Sequence, residues 1–365
     1  RVTGVQTCAL PISIFGESHG VSIGAVLDGL PAGVAIDWDA VNQEMARRAP
    51  GKNKLSTTRS EKDAFEIQSG FFNGHTTGTP LCAMIRNGDQ HSQDYDQLRH
   101  IMRPGHADYS GKIRYGGFND YRGGGHFSGR LTAPLVFAGA IASQILASQG
   151  VVIGSHILHL ADVTDKGFSP LGESTATLQA LKGETLPVLD KEQAAKMEER
   201  IVAAKNDLDS VGGVIECMVT GLPAGLGDPF FDSVESCISH MMFSVPAVKG
   251  IEFGDGFALT GLRGSQANDA FYYDDGVVKT KTNHNGGING GITNGMPLIF
   301  RLAVKPTSSI SQSQDTIDTD TQENCQLVIK GRHDPCIVQR AVPVVEAAAA
   351  WAILDVWLSA KGRCL

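Results

Sequence analysis

The chain has no apolar run approaching the 18 or more consecutive residues of a membrane span, and its first residues lack a charged segment followed by an apolar core. No membrane association is therefore expected, and a cytoplasmic location is. Cysteine is sparse: the seven residues form no C-x-x-C pair, so neither a zinc site nor a redox dithiol is signalled, no metal is expected, and the scattered odd set suits a reducing compartment. Positive charge is in deficit, with 31 Lys and Arg against 39 Asp and Glu, a formal net charge of −8. That excludes a general nucleic-acid binder, whose affinity comes from clustered cations. A G-x-G-x-x-G string is also missing, which removes the dinucleotide-binding fingerprint.

Glycine is what the chain has in excess, 43 in 365 residues or about 12%, against roughly 7% in ordinary proteins. Such a surplus implies unusual turns or close approach of backbone to ligands. Gly4 to Ile12 (GVQTCALPI) resembles the translation of a sequencing adaptor, so residues 1–12 are set apart as a non-native segment and 13–365 taken as one large domain. Strands are expected at 21–27, 65–67, 81–85, 151–160, 213–221, 248–253 and 298–304. Helices are expected at 38–48 behind an Asp37 cap, and at 134–148, 194–205, 233–243 and 338–358. Their irregular alternation points to the α+β class. Residues 103–129 show no sustained period and read as a long functional loop, while 164–190 and 311–326 read as polar connectors.

Chemistry concentrates in the glycine-rich strings. His19 lies in GESHG (16–20) and His106 in RPGHAD (103–108); a lone histidine is more often structural than catalytic, but glycine neighbours shift the balance towards a site. Arg47, Arg48, Lys52 and Lys54 fall within eight residues, and Arg103, Arg122, Arg130 and Arg332 stand in glycine-rich surroundings. Planar guanidiniums suit bidentate binding of carboxylate or phosphate, so the set implies a small polyanionic ligand. Lys305 to Ser309 (KPTSS) offers an ammonium, hydroxyls and amides to a phosphate, with a plain turn as the alternative. GRHDPC (331–336) packs a cation, an imidazole and a carboxylate together, the carboxylate being a candidate base.

Taken in order, GESHG (16–20), RRAPG (47–51), RPGHADY (103–109), DYRGGG (120–125), SGRLTA (128–133), PAGLGDP (223–229), AVKGIEFGDGF (247–257), LRGSQ (262–266), NGGINGGI (285–292), KPTSS (305–309) and GRHDPC (331–336) resemble the chorismate synthase family. The resemblance runs from about Phe15 to the last helix. It implies a β-α-β sandwich with helices between antiparallel sheets, assembled as a homotetramer. It also implies a lyase reaction: 1,4-anti elimination of phosphate from 5-enolpyruvylshikimate 3-phosphate to give chorismate, the last step of the shikimate pathway. Reduced FMN is required without net oxidation and is thought to lend an electron transiently.

By the same resemblance, His19 protonates the departing phosphate, His106 serves the flavin N1 region and Asp334 helps remove the C6 proton. Ser18, Arg48, Lys54, Arg130 and Arg332 would bind substrate. His126, Phe127, Ser128, Pro246, Ala247, Gly290, Lys305, Pro306, Thr307, Ser308, Ser309 and Arg332 would line the flavin site. Three positions depart from commoner family patterns: Lys54 stands for an arginine, His126-Phe127 for Arg-Ser, and Pro246 for an asparagine. Lys54 keeps its charge but loses bidentate geometry, and Pro246 has no N–H to offer. The alternative is an NAD(P)H-dependent flavin reductase, alone or combined with the synthase activity, which the missing dinucleotide fingerprint weakens.

Overall fold

Asp37 begins the first helix as its sequence requires: its carboxylate accepts from the backbone N–H groups of Asp39 and Ala40, capping α1 (Trp38–Arg48). Val41, Met45 and Arg48 form the buried face of α1, the i, i+4, i+7 stripe of an amphipathic helix with a guanidinium at its last position. In the computed structural model, residues 9–51, 55, 63–88, 98–329 and 333–361 are described. The other helices are α2 (Asp108–Arg114), α3 (Thr132–Ala147), α4 (Thr175–Leu181), α5 (Lys191–Asn206), α6 (Val234–Ser244), the short α7 (Gly264–Ala267) and α8 (Val338–Lys361).

Two antiparallel sheets enclose the helical layer. The first has the order Ile12–Gly16, Ser22–Leu27, Leu81–Arg86, Phe65–Ser69, and the second Val248–Phe253, Leu298–Val304, Gly213–Thr220, Val152–Leu160, Val163–Thr164. α3 packs on α8 and against Ser22–Leu27 and Leu81–Arg86 of the first sheet, while α8 packs on Val152–Leu160 and Gly213–Thr220 of the second. This is the expected sandwich of helices between antiparallel sheets. Trp38 of α1 and Phe137 of α3 both meet Phe65 of the first sheet, with ring centroids 5.6 and 4.9 Å away. Such rings each bury a large apolar area, and tie helix to sheet. α3 and α8 are long and apolar enough to cross a membrane by length and composition, yet 72% of the Gly129–Ala147 window and 83% of Val338–Ala360 lie inside the protein. They are apolar all round because both flanks are protein.

The strand Ile12–Gly16 pairs with Ser22–Leu27 in the register Ile12↔Leu27, so Ile12 of the adaptor-like string opens the sheet. Leu10 is buried, its N–H donates to Asp355 Oδ1 at 2.8 Å and its carbonyl accepts from Trp351 Nε1 at 3.2 Å. Elsewhere the structure corrects the sequence reading where elements are short or polar. The 103–129 loop holds α2, which buries only Asp108 and Gly111 and so carries no apolar period. Residues 164–190 contain α4, capped by Ser174. Residues 311–326 hold all but the last residue of the hairpin Gln314–Asp318/Glu323–Leu327, whose polar residues obscure its alternation.

Candidate active site

The site begins where the first sheet ends. Between its first two strands the chain makes a tight turn, with Gly20 N–H donating to the Glu17 carbonyl at 3.0 Å. Asn87, directly after the strand Leu81–Arg86, fastens that turn by donating through Nδ2 to the carbonyls of Glu17 at 3.0 Å and Gly20 at 2.9 Å. Ser18 N–H donates to the Gly125 carbonyl at 3.1 Å. These bonds present His19, only 5% exposed, to the glycine triplet 123–125.

That triplet touches both histidines. A Cβ on Gly123 would overlap the His19 ring, and one on Gly124 would lie 3.3 Å from Cε1 and Nε2 of His106. Both glycines have positive φ, +59° and +86°. His106 is fixed from its other side, where Nδ1 lies 2.7 Å from Asp108 Oδ1 and 3.1 Å from Arg103 Nη2, while Cε1 and Nε2 face Gly124. Arg103 grips the same carboxylate through Nε at 2.7 Å and Nη2 at 2.8 Å, and donates through Nη1 to Ser309 Oγ at 3.2 Å. Burial alone would raise the Asp108 carboxyl, but hydrogen bonds from Arg103 and His106 outweigh it and hold it well below the usual range. Asp120 is also held low, first by hydrogen bonds from Arg122, with the charge of His19 adding to the effect.

A second cluster lies behind His19. Arg48, 2% exposed, donates through Nη1 to the Arg130 carbonyl at 3.2 Å. Arg130 donates through Nη1 to Asp63 Oδ1 and through Nε to Asn87 Oδ1 at 3.2 Å. Arg48 Nη2 lies 3.5 Å from the other Asp63 oxygen. Asn87 thereby links the arginines to the turn of His19. Arg47, one residue away but off the stripe, turns elsewhere: it pairs with Glu44 and with Glu346 of α8, each at 2.5 Å.

The third group comes from the second half of the chain. Lys305 donates to the Gly105 carbonyl, joining KPTSS to the loop of His106. Burial, then the nearby Lys249, lowers the Lys305 ammonium from its ordinary pKa. The Thr307 carbonyl accepts from Ser210 Oγ at 2.7 Å, and Val211 N–H donates to Pro335 at 2.9 Å, so 210–211 bridges KPTSS to 333–336. Asp334 Oδ2 accepts from Arg340 Nη1 at 2.6 Å, and Arg340 Nε donates to the Arg48 carbonyl at 3.2 Å. Burial pushes the neighbouring Cys336 thiol up to about 12, which leaves it unreactive.

Thus Ser18, His19, Arg48, His106, Arg130, Lys305 to Ser309 and Asp334 are brought together through these links. His126 donates through Nδ1 to the Gly16 carbonyl, 2.8 Å away, Phe127 packs beside Tyr115, and Ser128 caps the turn leading to Arg130. Ala247, with φ +73°, accepts from Lys305 N–H at 2.9 Å and brings exposed Pro246 with it. Gly290 is placed apart: its neighbour Gly291 accepts from Val234 N–H at the start of α6, whereas Pro246 follows the end of that helix, about 16 Å on. Lys54 and Arg332 lie outside the described residues. Asp63, Asn87, Asp108 and Arg340 were not singled out from sequence. Arg340 did carry a signal, since a cation in the first turn of a helix opposes the helix dipole and calls for a carboxylate partner.

A helical layer held between antiparallel sheets, with two imidazoles and two guanidiniums brought together at one sheet end, places proton-transferring groups beside cations, the equipment of an enzyme that acts on an anionic ligand. The sequence profile described as chorismate synthase matches residues 10–358. Relatives named chorismate synthase include one from Dehalococcoides mccartyi, 46% identical over 349 residues covering 96% of this chain and 95% of that protein. Another, from Chitinophaga pinensis, is 48% identical over 347 residues, covering 95% and 94%. A solved structure titled "Crystal Structure of Chorismate Synthase" superposes with a TM-score of 0.75 at 28% identity, covering 96% of this chain and 92% of that one. The chain belongs to the chorismate synthase family, an enzyme family of lyases.

Proposed function

We propose that this enzyme converts 5-enolpyruvylshikimate 3-phosphate to chorismate and phosphate by 1,4-anti elimination, with reduced FMN bound beside the substrate. The observation that carries the reading is the meeting of His19 and His106 across Gly123 and Gly124, beside the Arg48–Asp63–Arg130 cluster. The substrate's carboxylates and phosphate need cations, and two buried guanidiniums with Lys54 nearby in the chain supply them. His19, buried and close enough to influence Asp120, protonates the leaving phosphate. Asp334, oriented by Arg340, takes up the proton lost from C6. Ser18 and Arg332 add to the substrate contacts.

The residues at KPTSS fit a flavin phosphate. Thr307 Oγ1 is buried with no hydrogen-bond partner among the described residues, a costly state that a phosphate oxygen would relieve. Lys305, Ser308 and Ser309 stand around it in the chain, and His126 to Ser128, Pro246, Ala247 and Arg332 complete the proposed set, with Gly290 apart from it. His106, its Nδ1 turned to Asp108 and Arg103, offers Nε2 to the N1 region. Reduced FMN, when bound, supplies an electron transiently to the substrate; the chain's own groups bind, orient and move protons.

The reading carries a cytoplasmic homotetramer. Phe230 and Phe231 are 86% and 92% exposed in the single chain, and the hairpin Phe271–Asp274/Val277–Thr280 exposes Phe271 and Tyr273, the kind of apolar surface that association covers. The test is anaerobic turnover of 5-enolpyruvylshikimate 3-phosphate with dithionite-reduced FMN. Stoichiometric chorismate and phosphate are expected, and no product from folded, flavin-loaded protein would overturn the reading.

A further inference from the structure

We propose that Asp63 is a positioning residue that sets both guanidiniums of the substrate clamp, a role that rests on the reading above of Arg48 and Arg130. Its side chain has no exposed surface, while those of Arg48 and Arg130 are 2% and 6% exposed. A buried carboxylate calls for paired cations, and here one carboxylate faces two. Oδ1 takes the Arg130 Nη1 hydrogen bond, and Oδ2 stands 3.5 Å from Arg48 Nη2.

The geometry shows why the pair needs it. Arg48 ends α1 and Arg130 precedes α3, 82 residues later, yet Arg48 Nη1 reaches the Arg130 carbonyl at 3.2 Å. Two cations facing one carboxylate repel each other, and the Asp63 charge offsets that repulsion. The trio retains one net positive charge for an anionic ligand. Asp63 also has φ +47°, a left-handed conformation that an aspartate tolerates but does not favour. Backbone held in this way marks a position chosen by the surroundings rather than by local preference.

Asp63→Asn keeps the shape and one acceptor oxygen while removing the charge. Calorimetric titration with 5-enolpyruvylshikimate 3-phosphate, followed by anaerobic kinetics with reduced FMN, is expected to show Kd and KM raised roughly tenfold or more, with kcat reduced less and FMN affinity within about twofold of wild type. A carboxylate that serves folding alone would instead lower the melting temperature without moving KM. Asp63→Glu separates the two further and decides the matter if Asp63→Asn does not fold. It restores the charge but displaces the guanidiniums by one methylene, so stability should return while KM stays high; return of both would overturn the assignment, as would an unchanged Kd in Asp63→Asn. Failure of the wild-type protein to bind the substrate would sink the proposed function itself, and the role of Asp63 with it.

Discussion

His19 and His106 face adjacent residues of one backbone segment: the ring of His19 lies against Gly123 and that of His106 against Gly124. Consecutive Cα atoms are 3.8 Å apart, so the backbone itself gauges the separation of the two imidazoles. Residues 19 and 106 come from different elements, and the triplet is held by the Ser18 N–H bond to Gly125. A proton donor and a second acid–base group can then serve one ligand held over the same short segment.

Gly123→Ala should therefore be more damaging than Gly124→Ala. At 123 a methyl overlaps the His19 ring, whereas at 124 the nearest His106 atoms lie at 3.3 Å and need only a few tenths of an ångström. Both substitutions also carry the left-handed φ penalty of roughly 1–2 kcal/mol. The expected outcome is a loss of turnover of about 10² or more for Gly123→Ala, measured with reduced FMN under anaerobic conditions, and a smaller one for Gly124→Ala. Equal activities would show that the glycines do not gauge the rings.

The second sheet holds a buried ion network away from the site. His156 Nδ1 lies 3.2 Å from Asp165 Oδ2 and Nε2 lies 2.9 Å from Glu216 Oε2, while Arg301 Nε donates to Glu216 Oε1 at 2.9 Å. Burial opposes the charged imidazole, but the two carboxylates prevail and raise its pKa above the ordinary 6.5. A raised pKa contributes stability that is complete below the unfolded value and fades as pH climbs through the folded one. His156→Gln should thus cost roughly 3–5 kcal/mol near pH 6 and less at pH 9, as read by denaturant unfolding at both pH values. A cost that does not change with pH would mean that His156 is neutral in the fold.

Much of this architecture was legible because its elements are long or strongly patterned. The strands 248–253 and 298–304 and the start of α8 at Val338 stand where alternation and apolar runs place them, and Asp37 marks α1 to the residue. Short elements escaped because about two turns of helix, as in α2 or α4, hold too few residues to show a period. In the site, residues in glycine-rich strings announced themselves, and Arg48 did so as part of a basic cluster. Asp63 and Asn87 did not. Each sits in ordinary polar sequence, and its importance arises only when the sheet brings Arg130 beside it.

Flavin and substrate should bind interdependently. Arg103 connects the two regions, gripping Asp108 under His106 and reaching Ser309 of KPTSS, and Lys305 closes the same seam at Gly105. Titrating FMN with and without 5-enolpyruvylshikimate 3-phosphate should give a several-fold change in Kd, matched by an equal change when the order is reversed, because coupling through shared groups is reciprocal. Independent affinities would separate the two regions.

Asp334→Asn should leave flavin and substrate affinity largely intact and slow turnover by roughly 10² to 10⁴, the usual worth of a positioned acid–base group. The carboxylate accepts from Arg340 Nη1 at 2.6 Å, and Arg340 in turn donates to the Arg48 carbonyl at 3.2 Å. An asparagine oxygen can still accept that bond, so Arg340 and the end of α1 keep their places, yet the amide cannot take up a proton at neutral pH. A carboxylate that serves only to anchor Arg340 predicts a different pattern: without its charge the guanidinium loosens, Arg48 shifts with it, and substrate affinity falls as far as the rate. Anaerobic single-turnover kinetics at saturating FMN and substrate distinguishes the two. With both ligands bound, an anchoring role gives back a near-normal rate, and that result would rule out Asp334 as the proton acceptor; a rate that stays low at saturation assigns the proton transfer to its carboxylate.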